Sequence, residues 1–191
     1  MTAIPQYRNV SEETFLSYLQ SIEGKAEWLD GEIYDMAGGS AMHSLITANI
    51  SAELRSATRS KGCNSFSSDL LYRIPSDRSL VFPDASVICG EIAYEFPRKD
   101  IVLNPTMIVE VLSPETGDYC RGGKFKKYAS ISSLREYILV NQFKPEVEVR
   151  FRHESGLWDI QIFESLDDEV PLQSLGATIK MSEIFRNVIF P

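Results

Sequence analysis

The sequence predicts a mixed domain of helices and strands, class α/β (α+β), and three stretches carry that prediction. Residues 40–58 place Leu45, Ile46, Ile50 and Leu54 at helical spacing, the longest helical pattern in the chain. Residues 107–112 (MIVEVL) form an apolar, β-branched run with the composition of a buried strand. Residues 135–141, 146–152 and 157–163 read as three further strands joined by short turns at Lys144-Pro145 and Ser155-Gly156.

The remaining elements follow in order. Ser11 before EETFLSYLQ is a serine cap opening a short helix whose inner side carries Phe15, Leu16 and Leu19. Residues 26–37 are a hairpin, because Asp30-Gly31 is a preferred two-residue turn, and Glu27 falls just before its first strand. Gly38-Gly39-Ser40 then breaks the chain ahead of the long helix. Residues 64–74 and 80–88 read as two strands separated by Pro75-Ser76-Asp77-Arg78, and residues 91–104 as a polar loop with a short helical piece. After 107–112 the chain turns through Ser113-Pro114 and a glycine-containing loop into a helix over 124–130. Glu146, Glu148, Arg150 and Arg152 alternate with Val147, Val149 and Phe151, the pattern of a sheet wet on one face. Asp167-Asp168-Glu169 reads as a solvated turn and residues 182–185 as a terminal helical turn.

At 191 residues and 43% hydrophobic content, one domain over 1–191 is expected. No apolar run approaches the roughly 20 residues of a membrane span, and the start of the chain lacks an apolar h-region, so neither a membrane nor secretion is indicated. Cys63, Cys89 and Cys120 are odd in number and lack CxxC spacing, which points to reduced thiols in a cytoplasm and against both a disulfide framework and a cysteine zinc site. Two histidines are too few for a histidine-rich metal centre. A net charge of −8 disfavours binding nucleic acid through bulk electrostatics but leaves room for a local basic patch.

Such a patch exists in RGGKFKK, four positive charges that follow the 107–112 strand. That strand holds the one residue that folding does not explain: Glu110 shares a face with Ile108 and Leu112, while the other face is Met107, Val109 and Val111. A carboxylate among aliphatic neighbours calls for a metal, a salt bridge or a raised pKa. With Asp84 on an adjoining strand and Lys124 at the next helix, the set is acid, acid, ammonium. Two carboxylates hold a hard divalent cation through oxygen, and a lysine orients water or offsets phosphoryl charge, which suits phosphodiester hydrolysis. Each residue has a plain structural alternative: Pro-Asp is a common turn pair, Glu110 fits a buried ion pair, and Lys124 competes with Lys126 and Lys127 on a solvated helix face. His43 reads first as a polar helix-start residue and second as a proton carrier or substrate contact. Trp28, Tyr34 and Tyr72 read as core or rim residues rather than a base-stacking platform.

The array Glu27-x-x-Asp30-Gly31-Glu32, His43 near a helix start, Pro83-Asp84, Ile108-Val109-Glu110-Val111-Leu112-Ser113-Pro114 and Gly122-x-Lys124-Phe125-x-x-Tyr128 resembles the Uma2 family. These DUF820 proteins, abundant in cyanobacteria, are assigned to the PD-(D/E)xK nuclease superfamily. The resemblance spans about residues 7–185 and implies a restriction-endonuclease-like core, a mixed β-sheet flanked by helices. It matches Asp84 to the PD aspartate, Glu110 to the acid of (D/E)xK, and Lys124 to the lysine that takes over from the position occupied here by Leu112. Glu27 matches an acidic position that in related nucleases adds an outer ligand. Relatives often read SPSTxxxDxGxK, and Cys120 stands where that aspartate would be, a change expected to bear on the order of the loop more than on the metal ligands.

The resemblance thus implies a Mg²⁺- or Mn²⁺-dependent endonuclease acting on DNA through a metal-activated water. Asp84, Glu110 and the Val111 backbone carbonyl would be the ligands and Lys124 would position the nucleophile. Glu27 and His43 are accessory, and Arg121, Lys126 and Lys127 would hold neighbouring phosphates. A homodimer is expected by analogy with related folds. The rival expectation is a non-catalytic protein of the same fold serving as a nucleic-acid-binding or assembly module. A third is a phosphatase or small-molecule hydrolase with a closed pocket.

Overall fold

The computed structural model describes residues 5–36, 38–113 and 117–191. Two β-sheets face each other, and helices cover their outer sides. The first sheet has the order β2 (Glu32–Met36), β1 (Lys25–Leu29), β5 (Leu80–Val81), β4 (Leu71–Arg73), β7 (Ile101–Val102). The second has the order β11 (Trp158–Phe163), β10 (Val147–Arg152), β9 (Glu136–Asn141), β8 (Met107–Leu112), β6 (Ala85–Cys89), β3 (Cys63–Ser67). It is mixed, since β8 runs parallel to β9 and antiparallel to β6. A two-stranded sheet of β12 (Glu169–Leu172) and β13 (Ala177–Lys180) stands apart.

α1 (Glu12–Ser21) begins at Ser11, whose side chain accepts the Thr14 N–H, and its Phe15 is buried against Trp28, Leu80 and Ile101 of the first sheet. α2 (Ala41–Ala57), capped by Ser40, buries Ile46, Ile50 and Leu54 on the far face of the second sheet. There it meets β13 and α5 (Met181–Ile184). Between the sheets lies a third core of Tyr72, Val81, Ile88, Ile108, Leu112, Tyr128, Tyr137 and Leu139. The hairpin turn needs left-handed backbone at both central residues, and Asp30 (φ 51°) with Gly31 (φ 83°) provides it. Among the described residues no helix is long and apolar enough to cross a membrane.

Several sequence expectations are corrected. Glu27 lies inside β1 and is buried, not ahead of the strand. The stretches 64–74 and 80–88 each divide into two strands that belong to different sheets. Pro83, which has no N–H to donate, stands at the break in the second stretch. Residues 91–104 contain β7 and no helix. The helix expected over 124–130 begins at Gly117 as α3 (Gly117–Tyr119), widens into a π-turn (Cys120–Lys124) and ends as α4 (Phe125–Tyr128), so Lys124 is buried in the π-turn. The turn expected at Ser113-Pro114 and the Ala37 end of the hairpin fall partly outside the described residues.

The polar face of β10, expected to be wet, is dry at its centre, while Glu146 and Arg152 at its ends are half-buried. Glu148 and Arg150 are buried as an ion pair at 2.6 Å, and Arg150 lies 4.2 Å from the centre of the Phe125 ring. Cys63 and Cys89, directly opposite one another on β3 and β6, form a disulfide, which overturns the expectation of three reduced thiols. Spacing along the sequence does not reveal a pairing set by strand register.

Candidate functional site

The central strand β8 is buried on both faces, and Glu110 projects between the two sheets. The ladder with β6 pairs Ala85 with Val109, so one step further it sets Asp84 opposite Glu110. Directly opposed residues share a face, and the two acids therefore approach the same space. Asp84 sits where the chain crosses from β5 to β6, and its Oδ2 accepts the Val111 N–H at 2.7 Å. The Nε2 of His43, from the first turn of α2, lies 3.4 Å from the same oxygen.

Lys124 closes the site from the π-turn. Its Nζ lies 2.9 Å from Glu110 Oε1 and 3.0 Å from Glu27 Oε1, and all three side chains are buried. Glu27 Oε1 also accepts the Phe82 N–H at 3.1 Å, fastening the strand to the loop that presents Asp84. Tyr128 donates its hydroxyl to Glu110 Oε1 at 2.9 Å. Ser40 and Gln142 steady the rim: the Ser40 hydroxyl donates to Gln142 Oε1 at 2.7 Å, and the Gln142 amide donates to the Leu112 carbonyl at 2.8 Å.

The electrostatics follow from burying two acids, Glu27 and Glu110, against one ammonium, with the half-buried Asp84 nearby. Burial raises the Glu110 carboxyl to about 7; Lys124 opposes the rise, and the Asp84 and Glu27 charges add to it. Burial disfavours the charge on Lys124, yet Glu110 and Glu27 hold its proton well above the ordinary lysine range. His43 is raised by its hydrogen bond to Asp84, with burial opposing and the Val111 carbonyl and Glu110 charge contributing.

Asp84, Glu110, Lys124, Val111, Glu27 and His43 thus come together as one group. The residues expected to hold phosphates, Arg121, Lys126 and Lys127, differ in their surroundings. Arg121 is bound to Glu146 at 2.9 Å and Glu148 at 3.5 Å, Lys127 is paired with Asp77, and only Lys126 of the three is exposed without an ion pair among the described residues. Sequence reasoning quoted Tyr128 in the Gly122–Tyr128 motif but gave it no role beside Glu110. Its signal was the four-residue spacing from Lys124, which puts both on one helical face.

Among the described residues no group of three or more His, Cys, Asp or Glu is arranged to hold a metal. What the site offers is two carboxylates and the Val111 carbonyl, an all-oxygen set of the kind Mg²⁺ or Mn²⁺ accepts with water completing the shell. Burial is the main cause of the raised Glu110 pKa, with the Asp84 and Glu27 charges adding to it, and a cation bound beside Glu110 would lower it.

A mixed central sheet presenting paired acids and a lysine at a sheet crossover places the chain among nuclease-fold proteins. It superposes with a TM-score of 0.73 on a crystal structure from Anabaena variabilis titled "a putative nuclease belonging to DUF820", at 17% identity over 93% of this chain and 98% of that one. Two uncharacterised Synechocystis proteins are also similar. One, slr1290, is 32% identical over 96% of this chain and 95% of its own length. The other, sll1609, is 36% identical over 71% of this chain and 78% of its own. Residues 12–182 match the Uma2 family model, described as "Putative restriction endonuclease". The chain belongs to the Uma2 family.

Proposed function

We propose that this protein is a Mg²⁺- or Mn²⁺-dependent endonuclease that hydrolyses DNA phosphodiester bonds. The observation that carries the reading is Glu110, buried in the central strand, shared between Lys124 and Tyr128 and set opposite Asp84. Asp84, Glu110 and the Val111 carbonyl would hold the cation. When bound, it supplies Lewis-acid polarisation of the phosphoryl group and eases deprotonation of water.

The chain's own groups do the rest. Glu27 keeps Lys124 charged and aimed at the Glu110 carboxylate, so an ammonium stands beside the position where phosphoryl charge grows. His43, hydrogen-bonded to Asp84 and with its pKa raised there, would serve as the proton donor to a departing oxygen. Lys126, exposed on the helix just past the π-turn, is the remaining lysine of the basic run for a flanking phosphate.

The binding-module alternative draws on the net charge of −8 and on the pairing of Arg121 and Lys127 within the chain. Plasmid nicking separates the two readings. Wild type is expected to nick with Mg²⁺ or Mn²⁺ and not with EDTA, and Asp84→Ala and Lys124→Ala each to lose at least about 100-fold. Equal residual cutting by all three proteins defeats the enzyme reading.

A further inference from the structure

The two large sheets have four edges, and three are blunted. The N-terminal segment covers β2 through a bridge from Tyr7 to Ile33, with the Gln6 N–H donating to the Ile33 carbonyl at 2.7 Å. A bridge from Tyr94 to Val102 covers β7. β3 is polar in Asn64, Ser65 and Ser67 and is tied by its disulfide. The fourth edge, β11, has no pairing strand on its outer side among the described residues, yet Ile160 and Ile162 are 56% and 57% exposed on it. Leu157, just before the strand, is 71% exposed. No proline and no lysine interrupt residues 157–163. The one charge of β11, Asp159, lies on the face opposite Ile160 and Ile162, so the face that carries the isoleucines is an open template for another strand.

The register says which strand fits. The hairpin bonds Asn141 N–H to Glu146 carbonyl and His153 N–H to Leu157 carbonyl, both 2.9 Å, fix the alternation across β10. Asp159, Gln161 and Phe163 then spend their backbone groups on β10, while Trp158, Ile160 and Ile162 aim theirs outward. We propose that β11 pairs antiparallel with β11 of a second copy of this chain about a two-fold axis at Gln161.

In that register Ile160 exchanges both backbone bonds with the partner's Ile162, and four isoleucines close over one face. No acid faces an acid. Glu164 of the partner subunit falls opposite Trp158, whose ring carries the Arg152 guanidinium at 5.8 Å, so opposite charges meet. Two six-stranded sheets become one continuous sheet. Ile162 lies opposite Glu148, which lies opposite Leu139, the partner of Glu110, so the isoleucines and Glu110 share a face. Both candidate sites would open on the same side of the joined sheet. A nucleic acid is a poor occupant of this edge, where Asp159 and Glu164 stand exposed.

The test is sedimentation equilibrium of the full chain from micromolar to sub-millimolar concentration, with two variants. Wild type is expected to be a dimer that dissociates on dilution. Ile160→Lys with Ile162→Lys is expected to be monomeric with an unchanged circular-dichroism spectrum, since both side chains are exposed. Gln161→Cys, facing its own copy across the axis, is expected to form a covalent dimer on mild oxidation, whereas wild type, whose remaining thiol Cys120 is buried, does not. A wild type that is monomeric throughout, a dimer that survives the double lysine change, or a Gln161→Cys protein that fails to cross-link each overturns the proposal.

Discussion

Glu110→Gln is expected to flatten the pH dependence of stability between pH 4.5 and about 7. The folded chain raises this carboxyl from 4.5 to about 7, so it binds the proton more tightly than the unfolded chain does. Folding therefore takes up a proton across that window, and stability falls as pH rises through it, with the loss complete above about 7. Raising the carboxyl from 4.5 to about 7 corresponds to on the order of 3 kcal/mol, at about 1.4 kcal/mol per pH unit. Glutamine keeps the side chain's length and removes its titration. His43 adds a second decline of the same sign, present in both proteins: its raised pKa stabilises below 6.5 and that contribution fades as pH rises through its folded value. The assay is urea unfolding of both proteins at half-unit pH steps, in EDTA and again in Mg²⁺. Because a cation competes with the Glu110 proton, Mg²⁺ is expected to stabilise wild type more at pH 8 than at pH 5. Parallel wild-type and Glu110→Gln curves from pH 4.5 to 7 would refute the buried-acid reasoning, and identical curves with and without Mg²⁺ at pH 8 would refute the cation site.

Three further perturbations separate the site from its scaffold. Tyr128→Phe removes the hydroxyl that donates to Glu110 at 2.9 Å, and urea unfolding at pH 8 is expected to show a loss of about 1.5–3 kcal/mol that shrinks at pH 5, where Glu110 is protonated. In Gly123→Ala the new methyl would meet the Tyr119 ring at 2.7 and 2.8 Å, so the ring must shift beside the Lys124 turn; a cost of about 1–3 kcal/mol and a loss of nicking are expected together. Asn49→Ala, which strips the Ile184 and Arg186 carbonyls of their amide donor on the far side of the second sheet, is expected to cost about 1–3 kcal/mol by urea unfolding while nicking at low temperature stays at the wild-type rate.

Strands and helices were legible wherever one local pattern decided them. Ser11 announced α1, the spacing of Leu45, Ile46, Ile50 and Leu54 announced α2, and Asp30-Gly31 announced its turn. The run 107–112 became β8 at its predicted bounds. What stayed hidden was set by partners distant in sequence. Nothing local says that 64–74 and 80–88 each leave one sheet for another, nor that Cys63 meets Cys89 across a ladder. The alternation in β10 suggested water on its charged face because a sequence does not show that Phe125 and the Arg121 carbonyl lie over Arg150. His43 looked like an ordinary helix-start residue because its partner, Asp84, is 41 residues further along (84 − 43). Glu110 was legible for the opposite reason: an acid in an aliphatic strand advertises an unmet charge without any knowledge of its partner.

Cys120 shows how the site tolerates a departure from the pattern that the chain otherwise resembles. An aspartate at this position would stand four residues before Lys124, close enough to pair with it on a regular helix. Here the Cys120 side chain is buried, and the intervening turn is a π-turn. The loop has other moorings. Tyr137 donates its hydroxyl to the Cys120 carbonyl at 3.1 Å, Arg150 donates to the Arg121 carbonyl at 2.8 Å, and Arg121 itself reaches Glu146. Lys124 has no need of a local acid, because Glu27 arrives from the first sheet and Glu110 from the second. The ammonium is therefore positioned by the packing of the two sheets against each other. Asp84 has different moorings, the Val111 amide of the second sheet and His43 of α2, so loosening the contact between the sheets disturbs the lysine first.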